Sequence, residues 1–107
     1  HDDMIKTRGF RVSPYEVESV ALKSIPQIDQ CAVFGIDNEL IEEEIVMVYS
    51  AASEITENEI VFELKKHLAS YMIPSQMVYK KSLPLVQSDR NQINKDELKK
   101  ELLGTGL

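Results

Sequence analysis

The chain has 107 residues, 43% of them hydrophobic and 28% charged, and a net charge of −6. That size supports one compact domain with a single core and is too small for two. The acidic balance argues against a nucleic-acid module, the absence of a long apolar run argues against a membrane span, and Cys31 has no second cysteine with which to form an internal disulfide.

In chain order, Asp2 and Asp3 make a polar entry, and Lys6-Thr7-Arg8-Gly9-Phe10-Arg11-Val12 reads as a hairpin centred on a glycine. Glycine there can adopt positive φ or let a ligand approach the backbone. Ser13 is an N-cap for a helix starting at Pro14, with Glu16 placed to complete a capping box. Val17, Val20, Ala21 and Ile25 recur at three- and four-residue spacing, so residues 14–25 form an amphipathic helix that Pro26 helps to end. Residues 30–36 and 44–50 read as strands that pair antiparallel across an acidic loop. Cys31 lies in the apolar run Cys31-Ala32-Val33-Phe34 and fills core space.

Thr56-Glu57-Asn58-Glu59 is a second capping box, and Ile60, Val61, Leu64, Leu68 and Met72 predict a helix that continues to Pro74. Residues 77–80 read as a third strand. Asn94 caps a last helix that puts Leu98 and Leu102 on one side and ends at Gly104, with residues 104–107 as a mobile tail. The sum is an α+β fold: an N-terminal β-hairpin, then a small three-stranded sheet covered by about three helices.

Few residues suggest chemistry within the chain itself. His67 has no second ligand at metal spacing, and Glu42-Glu43-Glu44 lacks ordered oxygen-ligand spacing with a turn glycine, so no metal site is expected. The four glycines are scattered and form no phosphate-cradling loop, so the chain alone is expected to be inactive on ATP.

The run from Asp2 to Val17 resembles the hinge and first hairpin of the C-terminal domain of the AMP-forming acyl-CoA synthetase superfamily, which includes peptide-synthetase adenylation domains. His67-Leu68-Ala69-Ser70-Tyr71-Met72-Ile73-Pro74, Met77-Val78-Tyr79 and Ser82-Leu83-Pro84-Leu85 resemble that family's later helix, strand and Leu-Pro stretch. The resemblance implies a mobile lid on a larger N-terminal domain that holds ATP, Mg and the carboxylic acid, so residues 1–107 are expected to be that lid without its larger domain, and His1 a cloning remnant. It also implies that Asp2 is the hinge, that Gly9 leaves a slot for the pantetheine arm of CoA, and that Lys6 serves thioester formation. Arg8 and Arg11 have forked donors suited to CoA phosphates.

One segment departs from the family. A Gly-Lys pair normally follows the Leu-Pro stretch, and its lysine stabilises charge as the acyl-adenylate forms. Here the segment Leu83-Pro84-Leu85-Val86-Gln87-Ser88-Asp89-Arg90-Asn91-Gln92-Ile93-Asn94-Lys95 has no such pair. Counting back from Leu98 puts Gln92 at the lysine position, and counting forward from Pro84 puts Arg90 there. The register of the last helix favours Gln92.

The expected function is therefore the C-terminal part of a cytoplasmic acyl-CoA ligase, in which the lid works with its own N-terminal domain and a CoA thiol. Val12-Ser13-Pro14-Tyr15-Glu16-Val17-Glu18 resembles acyl-CoA ligases more than peptide-synthetase domains. The alternatives are the lid of an adenylation domain that loads a carrier-protein phosphopantetheine, and a non-catalytic CoA- or partner-binding derivative that has lost the lysine.

Overall fold

Alternation along two long neighbouring strands divides the interior in two. In β3 (Ile28–Asn38) and β4 (Glu42–Ala51), which pair antiparallel, Cys31, Val33, Ile45, Met47 and Tyr49 enter one core, while Ala32, Phe34, Val46 and Val48 enter another. Both faces are covered, so both strands read as nearly continuous apolar runs. The computed structural model describes residues 3–104; the hinge expected at Asp2, the remnant expected at His1 and residues 105–107 lie outside them.

The larger core is roofed by α1 (Pro14–Ser24) and α2 (Glu57–Lys65) through Val17, Ala21, Ile60 and Leu64. Ser13 Oγ accepts the Glu16 N–H, and Thr56 Oγ1 accepts the Glu59 N–H, so both helices start where the caps place them. The second core is closed by α3 (Lys95–Gly104), whose Leu98 is buried with Leu102 packed alongside, and Asn94 Oδ1 accepts the Glu97 N–H at its start. Gly104 is thus the last residue of this helix and not part of a tail.

The N-terminal hairpin of β1 (Ile5–Thr7) and β2 (Phe10–Val12) joins the main sheet along β4, and β5 (Gln76–Lys80) adds to β4 in parallel, giving five strands. The expected α+β architecture is present, with two corrections. The helix expected to run to Pro74 stops at Lys65, and a short 3-10 turn, Ser70–Met72, follows it. The His67 N–H bonds to the Leu64 carbonyl three residues back, and Ala69 is extended with ψ 152°, a break that lets both Leu68 and Met72 reach the larger core. The second correction is a separate two-stranded sheet of β6 (Leu85–Val86) and β7 (Asp89–Ile93) between the Leu-Pro stretch and α3. No helix among the described residues is long and apolar enough to cross a membrane.

Candidate functional site

Thr7 pairs with Phe10 across a two-residue turn, Arg8-Gly9, in which Arg8 has φ 51° and Gly9 φ 82°. Positive φ at both central residues is the mirror-image type I′ turn that suits the twist of a tight hairpin. Among the described residues, a Cβ on Gly9 meets no atom within 4 Å beyond its two chain neighbours, so the glycine is required by its backbone angle, and the space above it is open. Lys6 and Arg11 are cross-strand partners and therefore share one face of the hairpin, both exposed, beside exposed Arg8. The structure thus gathers Lys6, Arg8, Gly9 and Arg11 on the exposed side of one hairpin arm, whose Ile5, Thr7 and Val12 are buried. Behind it, the rings of Phe10 and Tyr71 stack with centroids 4.0 Å apart and planes 12° apart, a contact that sequence spacing did not signal.

Gln92 belongs to a different surface. A cleft of about 820 Å³ is lined by residues from the chain entry, β1, α1, β3, β4, β6, β7 and α3, among them Tyr15, Glu18, Gly35, Glu43, Gln92 and Lys95. None of Lys6, Arg8, Gly9 and Arg11 lines it, and neither does Arg90. The register explains the altered segment: Leu85 stands opposite Ile93 and Val86 opposite Asp89, so Arg90, Asn91 and Gln92 bulge from β7 without counterparts in β6. The Asn91 N–H bonds to Asp89 Oδ1 at 3.0 Å, closing the bulge, while Ile93 stays packed on the second core. An Asp-x-Asn sequence is the one local signal of this turn.

Lys95, the other cation in this segment, is engaged within the domain. Its Nζ lies 2.7 Å from Glu18 Oε2 and 4.8 Å from the centroid of the Tyr15 ring. The same Glu18 oxygen accepts the Val33 N–H at 2.7 Å, satisfying a donor on the edge strand β3. Cys31, at the floor of the cleft, is buried, and burial, reinforced by Glu18 and opposed by Lys95, pushes its thiol up to about 12. It is a packing residue, as its apolar run suggested.

Comparison with known proteins fixes the family. The profile of the AMP-binding enzyme C-terminal domain matches residues 16–90. The chain belongs to that family. The AMP-binding enzyme C-terminal domain described here is 33% identical over 97 residues to surfactin synthase subunit 2 of Bacillus subtilis, covering 88% of this chain and 3% of the relative. It is 30% identical over 92 residues to oxalate–CoA ligase of Saccharomyces cerevisiae, covering 84% of this chain and 17% of the relative. Among solved structures, the fatty acyl CoA synthetase of Mycobacterium tuberculosis superposes with a TM-score of 0.85 at 29% identity, over 96% of this chain and 20% of that one. The domain therefore spans a fifth or less of each of these three relatives.

Proposed function

We propose that this domain is the lid of an AMP-forming acyl-CoA synthetase, a ligase that joins a carboxylic acid to CoA through an acyl-adenylate, and that it is inactive without a larger nucleotide-binding domain. The observation that carries this reading is the projecting arm, whose Gly9 has open space above it and cations on its flank. Carried on a lid that turns as one body, such a hairpin can close over a ligand. Gly9 leaves room for the pantetheine arm, Arg8 and Arg11 offer forked donors to CoA phosphates, and Lys6 holds an oxygen near the thiol-transfer centre. Asp2, just ahead of the described residues, supplies the hinge.

The cleft-lining Gln92 takes the place of the adenylation lysine in this reading. Its carboxamide donates hydrogen bonds but cannot neutralise the charge that develops as ATP and acid react. Lys95 does not substitute, because Glu18 and the Tyr15 ring engage its ammonium group. Thioester formation from an acyl-adenylate is therefore the stronger of the two half-reactions. On the larger domain ATP, as its Mg complex, would supply the adenylyl group to the carboxylate with release of pyrophosphate, and CoA would supply the thiol that displaces AMP.

The second reading, a lid that serves a carrier-protein phosphopantetheine, is favoured by the 33% identity to surfactin synthase subunit 2. The test is to supply the full-length protein with acyl-adenylates and either CoA or a pantetheinylated carrier protein. Thioester formation on CoA is the expected result, and formation on the carrier alone selects the second reading. Tight CoA binding with neither transfer nor acid-dependent pyrophosphate release would mark a non-catalytic derivative.

A further inference from the structure

The hairpin is anchored by the buried side chains of Ile5, Thr7 and Val12, but few backbone bonds join it to the main sheet. One residue pair, Thr7 with Glu42, connects β1 to β4, next to a 3.0 Å bond from the Arg8 N–H to the Ile41 carbonyl. One step back along β1, where a longer ladder would present a carbonyl to the Lys6 N–H, the acceptor is a side chain: Glu43 Oε1, at 2.8 Å. A carboxylate accepting a backbone N–H makes a stronger bond than a neutral acceptor does. We infer that Glu43 is a positioning residue that sets the angle at which the arm bearing Lys6, Arg8, Gly9 and Arg11 stands off the body of the domain.

The space for this carboxylate is made by Gly35. Gly35 pairs with Ile45, so Glu43 is its diagonal neighbour on the same face of β4. A Cβ on residue 35 would lie 2.7 Å from Glu43 Oε2, 2.9 Å from its Cδ and 3.0 Å from Ile5 Cγ2. The glycine thus admits both the carboxylate and the β1 side chain that crosses above β3. Glu43 also stands directly opposite Asp37 in the register, a like-charge pairing that opposes the arrangement. The bond to the Lys6 N–H holds the side chain there despite that repulsion.

This assignment rests on the proposed function for its catalytic consequence and on hydrogen exchange for its structural one. In the full-length protein, Glu43→Ala is expected to raise amide hydrogen exchange across residues 5–11 while leaving β3 and β4 protected. The same variant should slow acyl transfer from a supplied acyl-adenylate to CoA by about 10- to 100-fold, chiefly in kcat. Glu43→Gln, whose carboxamide oxygen still accepts the N–H, should restore most of the transfer rate. Gly35→Ala, which pushes the carboxylate aside, should reproduce Glu43→Ala, and the double variant should be no worse than either single one. Unchanged exchange across residues 5–11 in Glu43→Ala, or no recovery of transfer in Glu43→Gln, would overturn the assignment. A wild-type protein inert in both half-reactions overturns the functional reading, and the exchange of the arm then decides the role of Glu43 by itself.

Discussion

The Tyr15 hydroxyl donates a 2.9 Å hydrogen bond to Asp3 Oδ2, tying the segment that enters the domain to the first turn of α1. The described fold is thus fastened as far back as Asp3. Motion about a hinge at Asp2 would leave this bond intact and carry Asp3, Tyr15 and the hairpin together.

That bond raises the Tyr15 pKa above the ordinary value of 10, through the hydrogen bond to Asp3 first, then partial desolvation and the negative charges of Asp3 and Glu18. The folded state thus favours the protonated phenol, and the stabilisation is complete below pH 10 and lost as pH rises through the higher folded value. The difference between the alkaline absorbance titrations of the wild type and Tyr15→Phe should be centred above 10. Asp3→Asn should bring it back toward 10. A difference curve centred at or below 10 in the wild type would count against the bond.

Cys31 gives a second pH dependence. Its thiol is held up to about 12 against a reference of 9.0, chiefly by burial, so the folded chain keeps the proton that the unfolded chain releases. Its contribution to stability is complete below pH 9 and declines between pH 9 and 12, by at most about 1.4 kcal/mol per pH unit. At pH 8 a thiol reagent should leave the native chain unlabelled and modify it fully in urea. Rapid native labelling would show that the cleft opens to Cys31.

Glu18 is bound on two sides, to the Val33 N–H and to Lys95, with its side chain 16% exposed. Glu18→Ala leaves an edge-strand donor beneath α1 without its acceptor and should cost about 1 to 3 kcal/mol, read as a lower urea midpoint at constant slope. Glu18→Gln keeps an acceptor for Val33 and loses only the ion pair, so it should cost less. Equal midpoints for the wild type and Glu18→Ala would show that water replaces the carboxylate.

What the sequence made legible follows from the range of each interaction. Ser13, Thr56 and Asn94 cap helices through bonds three residues away, and β3 and β4 declare themselves by apolar runs, so those elements appear where the pattern puts them. The glycine turn was legible because positive φ is a local demand. β7, with the sequence Asp-Arg-Asn-Gln-Ile, has neither β-branched alternation nor an apolar face, and only its pairing with Leu85 and Val86 makes it a strand. The break after Lys65 has no glycine or proline to announce it, because the burial of Leu68 and Met72 overrides local helix propensity there. Glu43 and Glu18 act on backbone donors 37 and 15 residues away, which no spacing within one element reveals.

The strongest expectation about activity concerns the bulge of β7. Gln92 lines the cleft and Arg90, two residues earlier in the same bulge, does not, so the two ways of aligning the segment predict different variants. If Gln92 stands at the lysine position, Gln92→Lys in the full-length protein supplies a cation where charge develops and should raise ATP–pyrophosphate exchange by about 100-fold. Acyl transfer to CoA should stay within about twofold, because that step is assigned to Lys6, Arg8, Gly9 and Arg11, none of which lines the cleft. Arg90→Gln should then leave both rates near wild type. If Arg90 supplies the charge, its removal abolishes exchange and Gln92→Lys adds little. Equal and fast exchange in the wild type and Gln92→Lys would remove the idea that this domain has a weakened first half-reaction.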